Sequence, residues 1–225
     1  MHAFGFLLQA AAVAVNPSPS LEDFQRQIRD AYVAVEAEQR KMPPPANVSE
    51  QLIRLGAEDQ AGRTAFQKLD FSAVPEGQRA AWRAAIFNEI GLHDQVCQKA
   101  LKKLIPADGW FKISVYGKEA ARSAFLIVQH AVNDKDFMRS VLAKLGELAR
   151  EGEAEGQFYA MMYDRISLQF DQKPQLYGTQ VACKDRRWQP TNLFEADKVN
   201  ERRKAIGMTQ TLEQYLTMFD DAQCL

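Results

Sequence analysis

Residues 119–134, EAARSAFLIVQHAVND, decide the fold of this chain. Placed on a helix, their apolar side chains point in nearly every direction. The apolar set is Ala120, Ala121, Ala124, Phe125, Leu126, Ile127, Val128, Ala131 and Val132. A helix that is apolar on all sides has to be enclosed by other elements. We therefore predict a buried central helix inside a mainly α, multi-helix globular domain.

Polar side chains cluster at the C-terminal end of this stretch. They are Gln129, His130 and Asp134, with Asn133 beside them. On this helix, the four-residue step from His130 to Asp134 places imidazole and carboxylate one turn apart on one face. Polar groups that leave a buried helix need partners, so the sequence predicts a functional site here but not its reaction.

Composition limits the classes of function. The chain has 225 residues, 46% hydrophobic and 25% charged, which suits one domain with an N-terminal extension. Lys and Arg number 28 against 29 Asp and Glu, and no basic run occurs. We therefore predict no nucleic-acid partner.

The N-terminal residues resemble an export signal. Residues 3–15, AFGFLLQAAAVAV, are apolar and uncharged, and Asn-Pro-Ser-Pro-Ser follows them. The run is shorter than the roughly 20 residues that span a bilayer, so we predict no transmembrane segment. No Lys or Arg precedes it, which leaves a misplaced start, a retained apolar segment or an ordinary helix as alternatives. If residues 1–19 are a signal, the protein is periplasmic or secreted; otherwise it is cytoplasmic.

The three cysteines, Cys97, Cys183 and Cys224, show no CxxC spacing. This pattern argues against a zinc site and against a disulfide scaffold. If the protein is exported, one disulfide bridge, from Cys97 to Cys183, is possible. Buried free thiols are the simpler interpretation.

Helical periodicity covers most of the remaining chain. Residues 20–45 form an N-terminal helix, capped by Ser20 with Asp23, and a linker ending in three prolines. Residues 46–225 form a single helical domain, giving about ten helices in all. Within it, Asp59 and Arg63 have the spacing of an intrahelical ion pair. Gly91 is expected to end one helix and His93-Asp94 to begin the next.

A change to strand-like alternation follows the last long helix. Tyr177, Thr179, Val181 and Cys183 alternate with smaller or polar residues, which predicts a small β-hairpin near residues 176–190. Just before it, Asp164-Arg165 stand on a largely apolar helix surface. Charges are rarely enclosed unless they are paired or used.

The order of these motifs resembles that of an uncharacterised bacterial family classed as a domain of unknown function. The matching residues are Gln129-His130, Asp164-Arg165 and Tyr177-Gly178-Thr179-Gln180, with Asp59-Gln60-x-x-Arg63 and Gly109-Trp110 upstream. The resemblance covers roughly residues 52–219. Phe111 stands where that family is expected to have proline. The resemblance implies a helical fold and often export, and it brings no established reaction.

If these polar residues share one cleft, acid–base chemistry follows. His130 would act as general base or acid, oriented by Asp134 or Asp164. The predicted substrate-binding residues grip a carboxylate, phosphate or amide group. They are Gln129, Arg165, Tyr177, Thr179 and Gln180. We predict a hydrolase or transferase acting on an unknown small molecule or peptide. With only three histidines in the chain, we predict no metal ligands and no cofactor.

The alternative is structural. A lone histidine on an apolar helix is often a hydrogen-bonded core residue, and Asp164 with Arg165 would then be part of a buried pair. On this interpretation the protein is a non-catalytic, exported binding or immunity-type module with a protein partner.

Overall fold

The structure, a computed structural model, describes residues 19–219 and residue 224. The predicted export segment, residues 1–19, lies outside the described residues except for Pro19. The helices are α1 Leu21–Lys41, α2 Val48–Phe66, α3 Glu76–Lys102, α4 Ile113–Tyr116, α5 Lys118–Gln129, α6 Lys135–Arg150, α7 Gly156–Gln169, α8 Val199–Ala205 and α9 Leu212–Leu216. The strands are β1 Val181–Lys184 and β2 Arg187–Pro190. In the described part of the chain, no helix has the length and apolarity to cross a membrane.

Helix α5 is the centre of the fold, as predicted. It contacts α2, α3, α4, α6 and α7. Phe125, Ile127 and Val128 are fully buried on it. These side chains and the buried residues of α6 and α7 belong to the larger hydrophobic core. The prediction of a mainly α fold is confirmed.

The C-terminal end of α5 differs from the prediction. The helix stops at Gln129, His130 is its C-cap, and Asp134 caps the next helix by accepting a hydrogen bond from the backbone N–H of Phe137. An N-cap residue has non-helical backbone angles, so Asp134 cannot also continue α5. The expectation that His130 and Asp134 share one helix face is therefore wrong.

The N-terminal helix α1 packs on α2 and α3 and is not a detached element. Ser20 and Asp23 form the predicted capping box. Phe24, Ile28 and Tyr32 share a second hydrophobic cluster with Ile86 and other residues of α3. The cluster joins residues 20–45 to the domain that follows them.

Helix α3 runs unbroken through Gly91, so the predicted helix end there is wrong. Ile86, Ile90, Cys97 and Leu101 form a continuous buried stripe across the glycine. A helical glycine costs about 1 kcal/mol relative to alanine, which is less than the burial of one large aliphatic side chain contributes.

The hairpin is present but shorter than predicted. Val181 pairs with Pro190 and Lys184 with Arg187, and the turn residues Asp185 and Arg186 have positive φ angles of 52° and 60°. Residues 176–180 lie before the first strand, in an irregular segment.

The cysteines pair differently from the predicted alternatives. Cys183 of β1 is bonded to Cys224, and Cys97 is the buried free thiol. The Cys97–Cys183 bridge is therefore wrong. Cys97 lies on α3 and faces the larger hydrophobic core, where it is 2% exposed, so it packs as a small apolar side chain.

Candidate active site

The central feature of the site is a contact between α2 and the end of α5. The His130 Nδ1 atom lies 2.9 Å and 3.1 Å from the two carboxylate oxygens of Asp59, a residue 71 positions earlier. A carboxylate only accepts hydrogen bonds, so the Nδ1–H group donates. The other ring nitrogen, Nε2, then carries the lone pair that a general base needs.

Burial sets the charge of this imidazole. The side chain of His130 is 11% exposed and that of Asp59 is 0% exposed. Burial lowers the pKa of His130 below its ordinary value, and this outweighs the opposing effects of the Asp59 hydrogen bond and charge. The imidazole is therefore neutral near pH 7 and able to take up a proton.

A second carboxylate beside the histidine is neutralised by arginine. Arg63 donates to both oxygens of Asp94 on α3, at 2.7 Å and 2.8 Å, and to the backbone carbonyl of Asp59 at 3.1 Å. The predicted intrahelical pair of Asp59 with Arg63 is wrong. Both side chains leave the same face of α2, but one turns to α5 and the other to α3.

Arg165 is a partly buried cation that contacts the residue before His130. It donates to the backbone carbonyl of Gln129 at 2.9 Å and to the side-chain oxygen of Gln180 at 3.3 Å. Among the described residues it has no carboxylate partner. Burial, with a smaller effect of the Arg63 charge, lowers the pKa of Arg165 to about 10, so it stays protonated at neutral pH. A guanidinium without a carboxylate partner in the described chain, held at the backbone of the residue before His130, favours an anionic ligand.

Asp164 has a different role from the predicted one. This fully buried carboxylate accepts hydrogen bonds from the backbone N–H groups of Leu176, Tyr177 and Thr179, and from the Thr179 hydroxyl, at 2.8–3.2 Å. Burial raises its pKa against the effect of these bonds. Within the described chain all its hydrogen bonds go to this loop. Asp164 holds the loop in place and does not orient His130.

The other predicted residues divide into two groups. Gln180 contacts Arg165, and Gln129 lies next to His130 with its side chain buried, so these stay at the site. The Thr179 hydroxyl donates a hydrogen bond to Asp164. The Tyr177 ring packs against Tyr159 and Tyr163. Asp134 pairs with Lys102 at 2.5 Å. The structure thus joins Gln180 through Arg165 to the backbone of Gln129, the residue before His130.

Asp59, Arg63 and Asp94 were not among the predicted site residues. The first two stood in the upstream motif Asp59-Gln60-x-x-Arg63, whose four-residue spacing indicated an ordinary surface pair. Asp94 followed His93 and indicated a helix start. Only tertiary packing brings α2, α3 and the end of α5 together.

Metal ligation is limited by these pairings. Asp59, Asp94 and His130 each offer one ligand atom, and these atoms lie within 4.8 Å of one another. Two carboxylates and one imidazole suit a divalent cation in principle. However, Arg63 occupies both oxygens of Asp94 and Asp59 occupies Nδ1 of His130, so an ion would have to displace existing partners. The prediction of no metal ligands stays a prediction.

Comparison with known proteins identifies one family. A search of curated proteins and one of solved structures gave no significant match. A family model described as a family of unknown function, DUF6624, matches residues 47–225, which confirms the predicted resemblance to a domain of unknown function. The match covers most of the chain and includes every element from α2 to α9. The chain therefore belongs to the DUF6624 family of unknown function.

Proposed function

We propose that this protein is a metal-independent hydrolase or group transferase in which His130 is the general acid–base residue. The observation that carries the proposal is the pairing of His130 Nδ1 with the buried carboxylate of Asp59. Such a pair holds one tautomer, leaves Nε2 free and stabilises the imidazolium that forms during proton transfer.

The neighbouring charges suggest the kind of group acted upon. Arg165 supplies a positive charge without a carboxylate partner in the described chain, and Gln180 fixes its guanidinium plane through Nε. A carboxylate or phosphate group of a substrate fits this cation. His130 would then take a proton from water or from a substrate hydroxyl and return it to the leaving group.

Variants of His130 and Asp59, compared with a control variant of Asp134, test the proposal. Turnover is measured on a panel of nitrophenyl esters and phosphates, with melting followed by circular dichroism. We expect His130→Gln and Asp59→Asn to lower turnover by roughly 10²–10⁴-fold, as for other acid–base groups. Asp134→Asn is the matched control, because Asp134 pairs with Lys102 and not with His130.

Two results would remove the catalytic role. One is unchanged turnover in both Asp59→Asn and His130→Gln. The other is the absence of turnover on every substrate together with identical co-purifying ligands, by mass spectrometry, in the wild-type protein and in His130→Ala.

A second candidate is the exported, non-catalytic interaction protein. Leu92 and Val96 favour it, because they stand one turn apart on α3 and are 64% and 63% exposed. On this alternative, Leu92→Ser combined with Val96→Ser loses a captured protein partner, whereas His130→Gln keeps it. Retention of the partner by the double serine variant would exclude this surface.

We also propose that residues 1–19 are a removed signal and that the protein is periplasmic or secreted. The disulfide between Cys183 and Cys224 supports this, since disulfides persist mainly in oxidising compartments. Mass spectrometry of the mature protein should find an N-terminus near residue 20. A mature chain that begins at Met1 would contradict the proposal.

A further inference from the structure

A cleft lies on the other side of α7 from Arg165. Its volume is about 500 Å³, within the range of small-molecule sites, and it is enclosed by α6, α7, the Tyr177 loop and the end of α8. We call it the tyrosine cleft and define it by Gly146, Arg150, Tyr159, Tyr177, Ile206 and Gly207. Tyr159 and Tyr163 share one face of α7, and Arg165 follows Tyr163 by about 200° of helix rotation. The tyrosine cleft is therefore separate from the His130 site.

Aromatic rings form its walls. The Tyr159 and Tyr177 rings meet edge to face at 6.2 Å, and Tyr163 supports Tyr177 at 5.8 Å in the same manner. Edge-to-face contacts fix the orientation of each ring, so the wall is rigid before any ligand arrives. A rigid aromatic wall of this kind suits a planar ring.

Two glycines let the walls close. A Cβ atom at Gly146 would lie 3.0 Å from the Tyr159 ring, and one at Gly156 would lie 1.6 Å from the carbonyl oxygen of Ile206. The first glycine lets Tyr159 lie against α6, and the second lets the end of α8 pack on α7. Both close approaches shape the cleft, and the His130 site uses neither.

The polar side chains that line the cleft can each donate a hydrogen bond at neutral pH. Burial raises the pKa of Tyr177 to about 12 and also raises that of Tyr159, so both phenols stay protonated. Arg150 is exposed and makes no ion pair with any described residue.

Charge decides between the two ligand types that aromatic walls accept. Tyrosine rings can hold a cation by cation–π attraction or a planar ring by stacking. No acidic residue lines the tyrosine cleft within the described chain, and Arg150 would repel a cation. From these contacts we propose that the tyrosine cleft binds a planar aromatic molecule that carries a carboxylate or another anionic group.

Calorimetric titration of the full chain with 2-naphthoate tests this. We expect binding that weakens about tenfold or more in Arg150→Gln, because a charge-assisted hydrogen bond is lost. Lys135→Gln is the matched control, since it removes one positive charge from the other end of α6. We expect it to bind as the wild-type protein does. The neutral analogue 2-naphthalenemethanol should bind the wild-type protein as weakly as Arg150→Gln binds 2-naphthoate.

Gly146→Val supplies an independent check, because it pushes the Tyr159 ring into the cleft and should abolish binding. Melting of each variant is compared with the wild-type protein, and Gly146→Ala replaces Gly146→Val if the latter does not fold. No binding of 2-naphthoate to the wild-type protein, or equal affinity in the wild-type protein and Arg150→Gln, would overturn the proposal. None of these outcomes depends on turnover at His130.

Discussion

The polar residues around Asp59 hold one another in place through hydrogen bonds and an ion pair. The buried carboxylate of Asp94 is neutralised by the guanidinium of Arg63. The buried carboxylate of Asp59 accepts a hydrogen bond from the neutral imidazole of His130. Removing one partner from such a set leaves a buried charge unpaired, which costs more than the pair itself contributes to stability. His130 is thus held in place by the same contact that prepares it for proton transfer.

The lowered pKa of His130 gives a pH prediction. Its ordinary value is 6.5, and the folded value lies below that. Between the two values the unfolded chain binds a proton that the folded chain does not, so the free energy of unfolding falls as pH falls below about 6.5. We expect this fall to be shallower in His130→Gln, because no imidazole then titrates at the site. Urea unfolding between pH 7 and pH 5 measures it, and equal slopes for both proteins would contradict it.

The loop before the hairpin depends on one carboxylate. Asp164→Ala leaves three backbone N–H groups without their acceptor, and Thr179 and Tyr177 are themselves buried. We expect the free energy of unfolding to fall by about 3 kcal/mol or more, measured in urea.

Asp171→Ala is the control for that substitution. Asp171 pairs with Arg139 on a partly exposed surface, where such pairs contribute roughly 0–1 kcal/mol. An Asp164→Ala protein as stable as Asp171→Ala would show that the loop is held by other contacts.

At the scale of elements, the crossing of α2 and α5 depends on Gly56. A Cβ atom there would lie 2.6 Å from the Cβ atom of Ser123 on α5. Gly56→Ala should therefore lower the free energy of unfolding by about 1–3 kcal/mol, because crowding exceeds the gain in helix propensity.

Gly91→Ala tests the same exchange without crowding. A Cβ atom at Gly91 meets nothing within 4 Å, and Gly91 lies inside α3. We expect a gain of up to about 1 kcal/mol from helix propensity. Urea unfolding of both variants gives the comparison, and effects of the same sign would contradict this account of the crossing.

These elements also show what the sequence could predict. Helical periodicity predicts helices over residues 136–151 and 157–170, and the observed α6 and α7 begin and end within one residue of these bounds. It failed at Gly91, where a glycine and a following His-Asp imitate a helix end and a cap, although burial keeps α3 intact.

The site was predictable only in part, for a related reason. Arg165 joins Gln180 to the backbone of Gln129, the residue before His130, and these come from neighbouring parts of α5, α7 and the loop after it. Asp59 lies 71 residues before His130, and nothing local to either residue indicates the contact. Local spacing favoured Asp134 instead, which the end of α5 removes from the face of His130.

For the whole molecule, the C-terminal part is attached differently from the helical body. The body has two large apolar clusters, whereas the part after α7 has two small ones. Polar contacts supplement them. Arg203 is 1% exposed and donates to the carbonyls of Gln210 and Tyr177, and the Tyr215 hydroxyl donates to the carbonyl of Thr179. A region with so little apolar core depends strongly on cross-links.

The disulfide is that cross-link, and its removal gives the prediction for the molecule as a whole. It joins the exposed hairpin residue Cys183 to Cys224 over a separation of 41 residues. The chain-entropy relation gives a loss of up to about 4 kcal/mol when a loop of this length is opened. We expect Cys183→Ser with Cys224→Ser to show this loss in urea, and dithiothreitol to destabilise the wild-type protein but not the double variant.

Cys97→Ala is the control for this experiment, because Cys97 is free and buried in the core of α3. Its response to dithiothreitol should equal that of the wild-type protein, although its own stability changes with packing. Alkylation in denaturant without reductant gives a direct count, since the proposed bond leaves one reactive thiol of three. Labelling of all three thiols in protein isolated from an oxidising compartment would show that the C-terminal part is held by its hydrogen bonds and small clusters alone.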